Sequence, residues 1–190
     1  MAEKYLVRTE AERFIHNDLS NAAYFLHDLA RDKERKNERD GIGLVTMAGL
    51  VFSAFSIEAK VNFVGWKVLK SGWPERAPIA EKIELLNHVL GASLTWGTEP
   101  LQTIRRLFRF RNMLAHGKPD IVKGHEEIVE VEPEVWDALK MQWEADVTTG
   151  FLAGCQHAEQ ELWRILLKKA EIAAHETLTT GGHTLSRLSE

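Results

Sequence analysis

Apolar residues recur at three- and four-residue steps along most of the chain, the period of helices that bury one face. Over residues 8–39, Phe14, Leu19, Ala22, Tyr24, Phe25 and Leu29 keep that step and predict a first helix. It runs into a mixed-charge stretch at 31–40, suited to a solvated helix end with i,i+4 ion pairs, before Gly41 and Gly43 break the chain. Over 44–70 the apolar residues Val45, Met47, Leu50, Val51, Phe52 and Phe55 point in nearly every direction, which predicts the central helix of a bundle. Ser71-Gly-Trp-Pro74 closes it. Ile79, Ile83, Leu86 and Leu90 predict a short helix ended by Gly91. The next helix has Pro100 at its first turn and Gly117 just past its end, where those residues belong. Residues 118–132 predict a small hairpin, with Ile121-Val122 and Ile128 to Val131 flanking Lys-Gly-His-Glu-Glu. The helical period returns over 133–177 through Val135, Leu139, Trp143, Val147, Phe151, Leu152, Ala158, Leu162 and Ile165.

The predicted fold is all-α, a four- to five-helix up-and-down bundle with a small β-hairpin insert near 118–132. One helical domain is expected over 1–176 and a flexible C-terminal tail over 177–190. A chain of 190 residues with six Trp and eight Phe has ample material for one core. The apolar run from Gly43 to Ile57 is shorter than a membrane span and is closed by Glu58 and Lys60, so a buried helix is expected and no membrane association. The first residues lack the apolar region of a signal peptide, and the lone Cys155 suits a reducing compartment, so a cytoplasmic protein is expected. The eight His are scattered with no metal-ligand spacing, and neither a metal nor another cofactor is expected. Net charge is −4, so a polyanion would have to be met by a local basic patch. The dense one runs from Arg105 to Arg111.

Two residues break the hydrophobic pattern. At about 100° per residue, Arg105, Arg109, Asn112 and His116 form one polar stripe, while Ile104, Leu107, Phe108, Phe110, Leu114 and Ala115 fill the opposite side. Arg111 falls near the middle of that apolar arc. An unpaired guanidinium there costs several kcal/mol, roughly 3–5, so it must meet a carboxylate, line a cleft or sit at a subunit seam. On the preceding long helix Glu58 lies three residues after Phe55 and seven after Val51, inside the buried stripe, with Asn62 one turn later. The simplest resolution is that Glu58 and Arg111 meet. His116, in the last turn of its helix, is of the residue type that serves as a general acid or base, or else it caps the last carbonyls. Asn112 either orients that imidazole or makes a helix-end hydrogen bond. Arg105, Arg106 and Arg109 form either a phosphate track or a solvated face.

Arg111-Asn112-Met113-Leu114-Ala115-His116 resembles the Arg-polar-x-x-x-His signature of the HEPN superfamily, the helical nucleotide-binding domains of toxins, antiviral effectors and RNA-processing enzymes. The upstream helix carrying Ser56-Ile57-Glu58-Ala59 and Asn62 is also similar to that pattern, as is a short helix over 81–90. The resemblance covers roughly residues 44–119. It implies an all-α bundle that pairs as a homodimer, with two copies of the motif facing one composite active site. It further implies metal-independent RNA cleavage in which His116 moves protons at the 2′-hydroxyl. Arg111 would hold the phosphate, Asn112 support it, and Glu58 and Asn62 stand behind the arginine. Arg105, Arg106, Arg109 and Lys118 would bind RNA.

Three readings follow. One is a metal-independent endoribonuclease acting as a toxin or defence effector, with an antitoxin or inhibitor protein as a further partner. The second is a non-catalytic nucleotide-, RNA- or protein-binding module of the same fold, which the acidic balance favours. The third is a structural bundle in which Arg111 and Glu58 form only a core ion pair.

Overall fold

The computed structural model describes residues 5–117 and 141–187, apart from the side chain at 142. The hairpin expected over 118–132, with Lys118, and the expected helical stretch over 133–140 lie outside the described residues. Among those described, five α-helices form the bundle: α1 (Ile15–Arg35), α2 (Ile42–Leu69), α3 (Ile79–Leu90), α4 (Leu101–Ala115) and α5 (Thr149–Lys169). Short 3-10 turns at Lys70–Gly72, Gln142–Asp146 and Ala174–Thr177 join or follow them.

The all-α expectation holds, and the described β structure lies at the two ends of the chain. Strand β1 (Tyr5–Glu12) pairs antiparallel with β2 (Thr180–Arg187), from Tyr5 opposite Arg187 to Glu12 opposite Thr180. This corrects two expectations: residues 8–12, inside the span expected for the first helix, are strand, and 180–187, inside the expected flexible tail, are paired. Every residue of the ribbon is exposed, so backbone pairing rather than burial holds it. Below it the Asn17 amide donates to the Thr177 carbonyl at 2.9 Å, tying the end of the chain to the start of α1.

The long apolar helix α2 is central, packing against α1, α3, α4 and α5. It is the one described helix whose length and composition would allow it to cross a membrane, over Ile42–Gly72. Leu50, Ile57, Val61 and Val64 meet Ile83 and Leu86 from α3, Leu101, Ile104, Leu107 and Phe110 from α4, and Leu152, Leu162 and Leu166 from α5. Thr148 starts α5 by accepting the Phe151 amide at 3.0 Å, relieving one unpaired N–H of the first turn.

Helix α1 turns a different face inward from the one its large residues suggested. His16, Ser20, Ala23, His27 and Ala30 are buried at steps of three and four, while Phe25 is 68 % exposed and Leu29 is also exposed. Small groups set this choice. Ser20 of α1 meets Ser56 of α2 at 2.6 Å, and Gly49 of α2 leaves room for Leu152 and Leu26 where a methyl would come within 2.7 Å of Leu152. Gly65 does the same at the other end of α2, where the Trp73 ring lies 2.3–2.4 Å from where a β-carbon would stand.

Candidate active site

The two charged residues that broke the apolar pattern meet. Arg111 of α4 donates an Nη hydrogen to Glu58 Oε2 of α2 at 3.0 Å. A third helix contributes Lys82, whose Nζ donates to the other carboxylate oxygen at 3.1 Å. The Lys82 side chain is 1 % exposed, whereas Glu58 and Arg111 are 28 % and 23 % exposed. One carboxylate thus anchors two cations, and the cluster keeps a surplus positive charge at the mouth of a cleft. The Arg111 guanidinium also lies 5.2 Å from the Phe108 ring centre, and its Nε is buried without a hydrogen-bond partner.

The cleft has a volume of about 690 Å³ and is bordered by Glu58, Arg76, Trp96, Arg105, Arg109, Arg111 and Asn112. Arg105 lies 5.5 Å from the Trp96 ring centre, and the Trp96 indole donates to Glu84 at 3.2 Å, which fixes the ring at the rim. Arg109 is exposed at the same border. Arg106 points elsewhere: its Nε donates to Asp146 at 2.8 Å and its guanidinium lies 4.2 Å from the Phe151 ring centre. It ties α4 to the segment before α5 and does not border the cleft with Arg105 and Arg109.

His116 stands where α4 ends. Its backbone N–H donates to the Asn112 carbonyl at 3.0 Å, and its φ and ψ of −116° and 23° leave the helical region. Its side chain is exposed and lies outside the cleft border of this chain. Asn62 does not stand behind Arg111. Its Oδ1 accepts the Trp73 indole N–H at 3.1 Å, so it secures the loop that follows α2.

Two polar groups escaped the sequence reading, although the signal that exposed Glu58 applies to both. Lys82 sits between Ile79 and Leu86 on the apolar stripe of α3, and Glu159 sits between Cys155 and Leu162 on that of α5. Glu159 is 1 % exposed, and its Oε1 accepts from Ser20 at 2.9 Å, Ser56 at 2.6 Å and Lys60 at 2.5 Å. Beside it His16 packs 4.9 Å from the Phe63 ring and 5.2 Å from the Trp163 ring. Burial holds the His16 pKa below its usual value, and the Lys60 charge pushes it further down. This second cluster is enclosed by α1, α2 and α5 and serves the core. The Cys155 thiol is buried and its pKa is raised by that burial, so it remains protonated. Among the described residues no three His, Cys, Asp or Glu side chains gather as metal ligands.

No family model, curated protein or solved structure matches the chain.

Proposed function

We propose that the chain is a metal-independent endoribonuclease of HEPN type, acting in the cytoplasm as a homodimer whose two motifs share one cleft. The observation that carries this reading is the carboxylate-anchored Arg111 on the border of a basic and aromatic cleft. In the proposed reaction the RNA 2′-oxygen attacks the adjacent phosphorus and the bond from phosphorus to the 5′-oxygen breaks. The imidazole of His116 takes the 2′-hydroxyl proton, and the imidazolium so formed gives that proton to the leaving 5′-oxygen. The products are a 2′,3′-cyclic phosphate and a 5′-hydroxyl. Arg111 stabilises the charge that builds on the phosphoryl oxygens, and Asn112 lies beside it on the cleft border.

Pairing of two copies is supported by exposed apolar residues next to the motif. Phe55, one turn before Glu58, is 42 % exposed, and Met113, two residues after Arg111, is 36 % exposed. A second copy covering them would close the open side of the cleft where His116 ends α4. As a toxin or defence effector the enzyme would need an antitoxin or inhibitor protein that covers the same cleft.

The test is incubation of the purified chain with RNA in excess chelator, beside His116→Ala. Cleavage that yields cyclic-phosphate ends and falls by about a hundredfold or more in His116→Ala supports the proposal. Intact RNA at high enzyme concentration refutes it. A second reading, a non-catalytic nucleotide-, RNA- or protein-binding module, is favoured by the exposure of His116 outside the cleft border. It predicts unchanged binding in His116→Ala and weaker, salt-dependent binding after charge reversal at Arg105 or Arg109.

A further inference from the structure

The cleft at Arg111 does not end at Arg76. Arg76 and Ala77 also border a second groove of about 480 Å³, whose far side is made by Trp66, Lys70, Ser71 and Trp73. Trp66 is 50 % exposed, unusual for an indole at the end of the most apolar of the described helices. Lys70 Nζ lies 4.7 Å from its ring centre. At the other end Arg105 lies 5.5 Å from the Trp96 ring centre. An indole with a cation beside it therefore occurs at both ends, Trp66 exposed and Trp96 half-buried, with Arg76 common to the two grooves. Trp66 follows Glu58 by eight residues of α2, so it stands roughly 12 Å along the helix from the carboxylate that anchors Arg111.

Charge along the combined path favours an anion. Lys70, Arg76, Arg105, Arg109 and Arg111 face Glu58, Glu75 and Glu84. Glu58 is already bonded to two cations, and Glu84 accepts from the Trp96 indole. This lies on a chain whose net charge is −4, so the path is a local exception. Alternating indoles and cations suit a chain of unpaired bases on a phosphate backbone, because every base offers a π-face for stacking. A duplex hides those faces, and an acidic peptide has none.

We propose that this path holds an unpaired stretch of RNA on one side of the scissile bond, with bases on Trp66 and Trp96 and phosphates at Lys70, Arg76 and Arg105. The inference rests on RNA being the substrate of the Arg111 cleft, and it names the substrate as single-stranded where it crosses α2 and α3. The experiment measures fluorescence anisotropy of a labelled, unstructured RNA oligonucleotide on the full chain carrying His116→Ala, which leaves the path intact. Trp66→Ala in that background should weaken binding about tenfold. Lys70→Glu should lower the slope of log affinity against log salt by about one or two. The same sequence as a duplex, and an abasic strand of equal charge, should bind more weakly and respond little to Trp66→Ala.

Equal affinity of the Trp66→Ala variant and its parent for the single strand overturns the path. So does tighter binding of the duplex, or displacement of RNA by oligoglutamate at matched charge. The two proposals fail separately. If the native chain cuts RNA and Trp66→Ala leaves KM unchanged, the path is wrong and the nuclease reading stands. If binding depends on Trp66 but the native chain never cuts, the path stands and the nuclease reading falls.

Discussion

Replacing Glu58 by Ala removes the carboxylate that answers both Lys82 and Arg111. Lys82 is 1 % exposed and its Nζ bonds to Glu58, so the variant strands a buried ammonium. Loss of one partner from a buried pair destabilises by about 3–5 kcal/mol. Because Glu58 itself is 28 % exposed and water can reach part of the gap, the lower end applies, about 3 kcal/mol. That is a large share of a typical total stability of about 5–15 kcal/mol. For a chain of this length it lowers Tm by about 6–12 °C. Glu58→Gln keeps a hydrogen-bond acceptor without the charge and should fall between Ala and the native protein. Adding Lys82→Met to Glu58→Ala removes the stranded charge with little change of volume and should recover about 2 kcal/mol. Urea unfolding followed by tryptophan emission measures all four proteins. Glu58→Ala within about 0.5 kcal/mol of native, or no recovery on adding Lys82→Met, would refute the claim that one acid anchors two cations.

Gly65→Ala should destabilise by about 2 kcal/mol or more, since its methyl would enter the Trp73 ring; an unchanged urea midpoint would contradict that packing. His16 and His27 both have pKa values held below the usual 6.5, chiefly by burial and then by Lys60 and Arg31 respectively. The unfolded chain therefore binds protons first as pH falls, so their contribution is complete above about pH 6.5 and is lost as pH drops through the lowered folded values. His16→Phe should flatten the stability-against-pH curve in that window, and a curve parallel to the native one would count against the assignment. Arg106→Ala should lower stability with little effect on RNA affinity, whereas Arg109→Ala should weaken RNA binding with little effect on stability, because Arg109 borders the cleft and Arg106 does not.

The helices and the meeting of Glu58 with Arg111 were legible because a charge at a position the period marks as buried demands a partner. The same rule applied to Lys82 and Glu159 would have completed the anchored triad and revealed the core cluster around Ser20 and Ser56. It was not decisive there because a lone Lys or Glu near a helix face also reads as a solvated residue. The inward face of α1 was misread for a different reason. His16, Ser20, Ala23, His27 and Ala30 carry little apolar weight, yet small residues allow the closest approach to α2. The resemblance implies that Asn62 stands behind Arg111, but its partner Trp73 arrives from the loop after α2, which no periodicity predicts. The terminal ribbon was hidden for a similar reason, since β1 and β2 come from opposite ends of the chain and have no turn between them.

If the inward guanidinium of Arg111 serves RNA chemistry and is not merely a core ion pair, its removal must cost cleavage and not the fold. Replacing Glu58, Lys82 and Arg111 together by Leu, Met and Met removes the whole anchored triad without leaving a buried charge. Such a swap should be neutral or stabilising for the fold. The decisive measurement is the rate of RNA cleavage by this triple variant in excess chelator, beside the native chain. The expected result is a folded protein that cuts about a hundredfold more slowly or not at all. A folded triple variant that cuts at the native rate would contradict it.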